Sequence, residues 1–489
     1  MVSLLFLPIA APLFAAGLAA IFGWRRWTAV VTAVSALTIL ATGVALAFFT
    51  DGEELVDSHH LLRADALSST MLLVIGAVAT LSCLASIGYI DAELADGHTT
   101  AQGARLYGVL LPLFLAAMAL AVMAMSIGVM WVGIEATTVV TAFLVGHRRT
   151  KAALEATWKY VIICSFGIAL AFLGTVLTYF AGTTTGEPGN HSLDIDVLLS
   201  GAARLDPRVT SLAAGLLLLG YGAKAGLVPF HTWLADAHSQ APAPVSALMS
   251  GVLLSVAFYA LLRVKSIIDL TLGEGFMRVG LIVMGLLTLV VAALLLVVQT
   301  DFKRMLAYSS MENMGIVAIA AAIGTRLAIA ALLLHVLAHG VAKALVFVSS
   351  GAIQGAHGST AIAKVRAVLA RSPLVGSAFT LGLVVLLGLP PFAMFASEWG
   401  VARALAAEHF GWLLGVMLVF VAIAFTGLVR AGSSMMLGAP QAGEAHFAPP
   451  RAIGATLALG VGLSVALCFS IGPLTNLLDA AATTLGAGR

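Results

Sequence analysis

Five charged residues interrupt long apolar runs, and one of them comes with partners at helical spacing. Lys343 follows His335 and His339 at successive four-residue steps. Residues four apart share one helix face, so these three side chains form a single stripe. Imidazole exchanges protons near neutral pH, and a lysine withdrawn from water can exchange with it, so the stripe suits proton relay better than three separate core contacts. Lys224 lies two residues before Gly226-Leu227-Val228-Pro229-Phe230, and Glu398 lies six residues past Gly388-Leu389-Pro390-Pro391-Phe392. Glu135 stands inside an apolar run at the end of Trp131-Val132-Gly133-Ile134-Glu135. A carboxylate buried alone would be protonated, whereas one beside a lysine stays charged, so the expected pairing is Glu135 with Lys224. Lys159 is only a few residues inside its run, where it could act as a relay or reach the surface on its long stem. Glu312, Asp236, His231 and His238 are assigned near span ends, as structural residues or at the mouth of a path.

The elements that must hold these residues are set by composition. The chain has 489 residues, 61% of them apolar and only 10% charged, and its mean hydropathy is +1.05. Those values exclude a water-soluble globule of this length and make the bilayer the solvent. A hydrocarbon layer about 30 Å thick needs roughly 20 apolar residues per helix, and the sequence supplies about fourteen such runs. They fall near 3–22, 27–49, 66–90, 106–124, 127–146, 157–180, 209–229, 246–268, 277–299, 307–323, 327–350, 374–400, 410–430 and 453–476. The expected class is therefore an all-α polytopic membrane protein. Of the 25 Lys and Arg residues, all but Lys159, Lys224 and Lys343 can be assigned to loops or span ends. A charge at mid-bilayer costs roughly 2.5–3.5 kcal/mol even on lenient scales, so those three should face the bundle interior or water.

Arg25 and Arg26 follow the first span, the reverse of a cleavable leader, so that span is expected to remain. With those arginines inside, both termini face outward, the acidic 51–65 segment lies outside, and Arg148, Arg149, Lys151, Lys303, Arg304, Lys364, Arg366 and Arg371 fall on the cytoplasmic side. A net charge of +2 gives no reason to expect a nucleic-acid partner. Cys83, Cys164 and Cys468 are solitary, without the clustering that metal or iron–sulfur ligation requires, so no cofactor or metal is expected in this chain.

The two Gly-Leu-(x)-Pro-Phe-like segments read as an internal echo. They interrupt the seventh and twelfth spans, five spans apart, and an odd offset gives the copies opposite directions. Two inverted five-helix repeats are expected, with helices 7 and 12 broken beside an ion path. The single membrane domain, 1–489, then divides into N-terminal helices (1–104), a first repeat (105–270), an inverted second repeat (277–432) and a C-terminal helix (452–489).

Across roughly 105–432 the chain resembles the antiporter-like subunits of respiratory complex I, cation/proton antiporters and membrane-bound hydrogenases. The resemblance lies in Gly220 through Leu234, in Asp236-Ala237-His238, in Asp301 through Ser310, and in His335 through Phe347. Ile134 through Thr138, Glu155 through Tyr160 and Phe395 through Trp399 look closest to component F of hydrogenase-4 and formate-hydrogenlyase-type complexes. The resemblance implies that Glu135 and Lys224 form a paired input, that His335, His339 and Lys343 continue a hydrated axis, and that Glu398 completes an exit. Many relatives carry lysine where this chain has Ser255, and proline where it has Ala235; water held by Ser255 would have to bridge the axis. The implied function is proton translocation in a bacterial inner membrane, coupled to peripheral cytoplasmic oxidoreductase subunits and other membrane subunits. Iron–sulfur clusters, with a NiFe centre or a quinone, would reside in those partners. The alternatives are a cation/proton antiporter subunit or part of an ion-coupled inorganic-carbon uptake system without redox chemistry.

Overall fold

The computed structural model describes residues 2–49, 54–183, 193–440 and 445–487; parts of the 51–65, 181–208 and 431–451 connections therefore lie outside the described residues. The chain is a bundle of helices: α1 (Leu7–Phe22), α2 (Arg26–Phe49), α3 (Ala66–Ala95), α4 (Ala101–Met123), α5 (Ile127–Val145), α6 (Lys151–Thr183) and the short α7 (Ile195–Gly201). There follow α8 (Pro207–Lys224), α9 (Trp233–Gln240), α10 (Ala243–Leu248), α11 (Leu254–Leu272), α12 (Gly275–Val298), α13 (Phe302–Ile323) and α14 (Arg326–His357). The last are α15 (Val368–Arg371), α16 (Pro373–Leu386), α17 (Ala393–Ala407), α18 (Gly411–Met436) and α19 (Arg451–Thr484). Among the described residues 12 helical stretches are long and apolar enough to cross a bilayer, one of them the continuous Ala243–Leu272. The paths α8–α9 and α16–α17 are each broken at an expected place and bring the bundle to the anticipated number of crossings.

Each break follows from its sequence. Proline cannot continue the helical hydrogen-bond ladder. The glycines ahead of it, Gly226 at φ +77 and Gly388 at φ +61, take the left-handed conformation that ends a helix and that a side chain disfavours. The two broken paths run in opposite directions. α9 ends beside the arginine-rich end of the bundle, where Lys303 donates to the carbonyl of Ala241 at 2.8 Å; α16 begins at that same end, after Arg371.

Burial sorts the helices by role. The most buried windows lie in Ala243–Leu272 and in α14, both wholly enclosed, and in α13. α1, α18 and α19 are the least buried of these spans, as helices facing lipid or a partner would be. At the centre, a π-helical turn over Met249–Leu253 joins α10 to α11 and packs against α14. Gly251 and Gly340 make this approach possible: a Cβ on either would lie 2.9 Å from the other's carbonyl oxygen. Gly340 sits between His339 and Lys343, so the close approach seats the polar stripe against an already distorted turn.

Not every charge assigned to a span end reaches one. Arg263 is 1% exposed and binds Asp65, with Nη2 to Oδ2 at 2.6 Å, while Arg63 holds the same carboxylate at 2.6 Å and Asp196 at 2.7 Å. The network ties α3, α11 and the hairpin formed by Leu55–Val56 and Arg63–Ala64 into one end of the bundle. Lys303 is likewise buried, because α13 begins at Phe302, capped by Asp301, rather than at 307. A charged first turn covered by neighbouring helices reads as a loop in the hydropathy alone.

Candidate functional site

Two clusters of buried polar groups lie inside the bundle. The first is built on α5, α6 and α8. Lys224, the last residue of α8, is fully buried and donates to Thr138 Oγ1 at 2.9 Å and to Tyr160 Oη at 2.6 Å. Its ammonium also lies 4.9 Å from the centre of the Tyr160 ring, a cation–π distance. The lysine's hydrogen bonds thus go to two hydroxyls and not to Glu135. Glu135 is half-buried one turn before Thr138 on α5, near enough for its charge to act on Lys224, and its Oε2 has no hydrogen-bond partner. Thr138 stands in place of the direct ion pair that residue types alone suggested. Trp233, at the start of α9, closes this cluster by packing edge-on to Tyr160 and donating to the Ala223 carbonyl at 3.1 Å.

The second cluster is larger and joins α13, α14 and α17. His335, His339 and Lys343 are 1%, 2% and 0% exposed, and the two imidazoles stack with centroids 6.4 Å apart. Lys343 donates to the Leu306 carbonyl at 2.8 Å and to the Ser309 hydroxyl, both on α13. Asn313, one turn further along α13, donates through Nδ2 to the Ser309 carbonyl at 2.6 Å and to Glu312 Oε2 at 2.9 Å. That fixes its Oδ1 towards His335 Nε2, 2.9 Å away, so this nitrogen carries a proton.

On the other side of the ring, His335 Nδ1 lies 3.0 Å from Ser397 Oγ, and that hydroxyl is 2.6 Å from the Met394 carbonyl. A serine proton has two places to go. It donates to Nδ1 when the imidazole is neutral, and to the Met394 carbonyl when Nδ1 is itself protonated and donating. Both charge states of His335 are hydrogen-bonded in one framework, with only a hydroxyl rotation between them. Such a group can take up and release a proton without rearranging its neighbours.

Glu398 follows Ser397 and folds back over the break. A Cβ on Gly388 would meet its Oε2 at 2.2 Å, so the carboxylate occupies the space that the missing side chain leaves. Glu312, Asn313, His335, Ser397 and Glu398 thereby line one continuous polar seam from α13 to α17. Towards the first cluster, Ser250 of the π-turn contacts Ser310 of α13 at 2.5 Å, and Ser255 is 2% exposed with its hydroxyl unpartnered. The hydrogen bonds of Lys224 and those of Ser250 do not meet. Among the described residues, no three His, Cys, Asp or Glu side chains gather in a way that could hold a metal ion.

The middle of the chain, residues 124–426, matches the family described as NADH:quinone oxidoreductase/Mrp antiporter, TM. Every candidate from Glu135 to Glu398 lies inside that match. The chain belongs to this family. It is 37% identical over 337 residues to a hydrogenase-4 component F homolog of Methylacidiphilum infernorum, covering 68% of this chain and 70% of that protein. Its fold matches a chain of the membrane-bound sulfane sulfur reductase, an archaeal respiratory membrane complex, with a TM-score of 0.87 at 23% identity, over 99% and 98% of the two chains. A chain of the Mrp complex from Dietzia sp. DQ12-45-1b gives 0.84 at 22% identity, over 99% and 97%. Proteins of this family are multi-pass membrane subunits of larger assemblies, and this chain is a membrane protein built on the same plan.

Within the family's region the structure regroups several residues. Lys159 is on the surface, paired with Glu155 at 2.7 Å and Asp236 at 3.0 Å; Asp236 also binds Arg304. These charges join helix ends rather than entering the interior. His231 is partly buried in the break after α8, with Nδ1 unpartnered. Glu312 and His238, assigned near span ends, are 5% and 0% exposed. Glu312 lies ten residues inside α13 because that helix starts earlier than its hydropathy indicates. His238 stacks on Phe347 at 5.5 Å, and neither ring nitrogen has a hydrogen-bond partner. Residue type alone could have flagged these two. Thr138, Tyr160, Asn313 and Ser397 gave no such signal, being neutral polar residues that occur anywhere in a helix.

Proposed function

We propose that this chain carries protons across a bacterial inner membrane as a subunit of a complex whose peripheral, cytoplasmic partners release redox energy. The observation that carries the reading is the string of titratable side chains, Lys224, Lys343, His339, His335 and Glu312, enclosed at the centre of a membrane bundle and continued by the partly buried Glu398, where each is costly unless it has work to do. The similarity to a hydrogenase-4 component F homolog supports a hydrogenase-like or quinone-reducing partner, with iron–sulfur clusters in that partner. In this reading the arginine-rich end faces the cytoplasm, both termini face outward, and the stretches on either side of the α11–α12 junction act as inverted repeats.

The mechanism is Coulombic. Two charges about 4 Å apart interact by about 4 kcal/mol at an effective dielectric of 20, whereas moving one charge against 100 mV costs about 2.3 kcal/mol. Protonation or displacement at one site is therefore enough to change the proton affinity of the next. Glu135 biases Lys224 through Thr138, and the change reaches Lys343 and then the His335–Ser397–Glu398 seam.

The test is Lys224→Met in assembled complex reconstituted in vesicles. The substitution keeps length and removes the charge. Redox-driven proton flux per assembled complex should be lost while the complex still assembles. Undiminished flux would remove Lys224 from the path, and sodium–proton exchange by a preparation without oxidoreductase subunits would favour the antiporter reading instead.

A further inference from the structure

The arginine-rich end of the bundle contains a cavity of about 420 Å³, lined among others by Tyr89, Glu93, Arg148, Gly351 and Gln354. Glu93, near the end of α3, is 3% exposed, and its Oε1 is held by Arg148, which also donates to Tyr89 Oη at 3.0 Å. Its second oxygen, Oε2, has no hydrogen-bond partner and lies 3.9 Å from His147 Nε2, which is buried and equally unpartnered. An ion pair built only to tie α3 to the end of α5 would not need a second buried acceptor and a second buried ring nitrogen left open beside it.

From the cavity floor a file of buried groups leads to Lys343. The Tyr89 ring lies against Gly351 of α14, where a Cβ would meet Ala243 at 2.5 Å and Tyr89 at 3.5 Å. Two residues before Ala243, the carbonyl of Ala241 accepts the fully buried Lys303 ammonium at 2.8 Å. One turn before Ala241 on α9 is His238, fully buried, with neither ring nitrogen partnered. Its ring rests on Phe347, one turn beyond Lys343 on α14. Lys343 in turn donates to the Leu306 carbonyl, one turn beyond Lys303 on α13. His238 is thus bracketed by the two lysines.

We propose that Glu93, Lys303 and His238 form a proton inlet from the cavity beside Arg148 to Lys343, separate from the path through Glu135 and Lys224. The inlet rests on the proton-carrying reading above and adds a second mouth to it. Each transfer is a proton exchange between groups along this file and consumes no other reactant: the proton passes from the Glu93 carboxyl to the Lys303 amine, then through the open His238 ring to Lys343. Arg148 keeps a permanent positive charge at the mouth. The second half of the bundle can then be loaded without crossing the unbonded stretch between Lys224 and Ser250.

The experiment uses the whole complex in sealed vesicles and reads redox-driven proton flux per assembled complex. Lys303→Arg keeps a charge and donors for the Ala241 carbonyl but cannot release a proton, so flux should be lost with assembly retained. A purely structural lysine predicts full flux in that variant. Because a buried arginine can prevent folding, a second arm places a thiol on the cavity wall with Ala352→Cys. A bulky, membrane-impermeant thiol reagent added on the arginine-rich side should abolish flux in that variant and leave the untreated variant and the treated parent protein unchanged. Full flux after complete labelling, or full flux in an assembled Lys303→Arg complex, would overturn the inlet. Full flux in a parallel Lys224→Met control would instead point to failure of the parent reading.

Discussion

The chemistry of single residues here depends on which proton a neighbour can supply. His335 is bracketed by Asn313, whose orientation is fixed by two acceptors, and by Ser397, whose hydroxyl can turn. Ser397→Ala removes the turning group and leaves Nδ1 without a partner in both of its states. Leaving a buried polar atom unpaired costs about 1–3 kcal/mol, so proton flux should fall about tenfold or more, with assembly retained. The pH dependence of flux should shift in the same variant, which a packing defect would not produce, and Ser397→Thr should restore most of the flux. Wild-type flux and pH profile in Ser397→Ala would make the contact incidental. At this scale the sequence was informative wherever a residue was costly. Glu135, Lys224, His335, His339, Lys343 and Glu398 stood out because their types oppose their surroundings. Ser397 and Thr138 did not, since a hydroxyl can satisfy itself on its own helix backbone and costs little in a membrane.

At the scale of elements, the two broken helices and the Gly251–Gly340 contact decide where those residues meet. Gly388→Ala would push a methyl group into the Glu398 carboxylate, and its φ of +61 further disfavours alanine. The expected outcome is lost flux with the complex assembled, because the carboxylate moves and the helices do not. Gly340→Ala acts differently: its Cβ would lie 2.9 Å from the Gly251 carbonyl, a backbone atom that cannot swing aside. Overpacking of this kind costs about 1–3 kcal/mol, so the amount of assembled protein in the membrane should drop while flux per surviving complex stays near normal. Quantifying assembled complex and flux in the same vesicles separates the two; equal behaviour of both variants would contradict this division of roles. Both breaks were legible because proline and glycine act locally. The start of α13 was not: Lys303 and Arg304 read as a loop, and only the neighbouring helices that cover Lys303 reveal a buried first turn with Glu312 at mid-helix. The π-turn was equally hidden, since it arises from packing against α14.

For the whole molecule, the arrangement is a scaffold of lipid-facing helices around three nearly enclosed ones, with the costly charges concentrated on the enclosed set. The family membership accounts for the plan, and the buried seam gives the plan a use. A static polar seam is the physical rival, because hydrogen bonds between membrane helices can hold a bundle together for about 0.6–2 kcal/mol each. The rival and the path make opposite statements about Lys343→Ala and Glu398→Gln. The decisive measurement is proton flux divided by assembled complex in sealed vesicles carrying either variant, with redox turnover recorded alongside. A proton path predicts that flux is lost while assembly persists, with electron transfer either slowed or running uncoupled. Full flux per assembled complex in both variants, with poor assembly as the only defect, would contradict it.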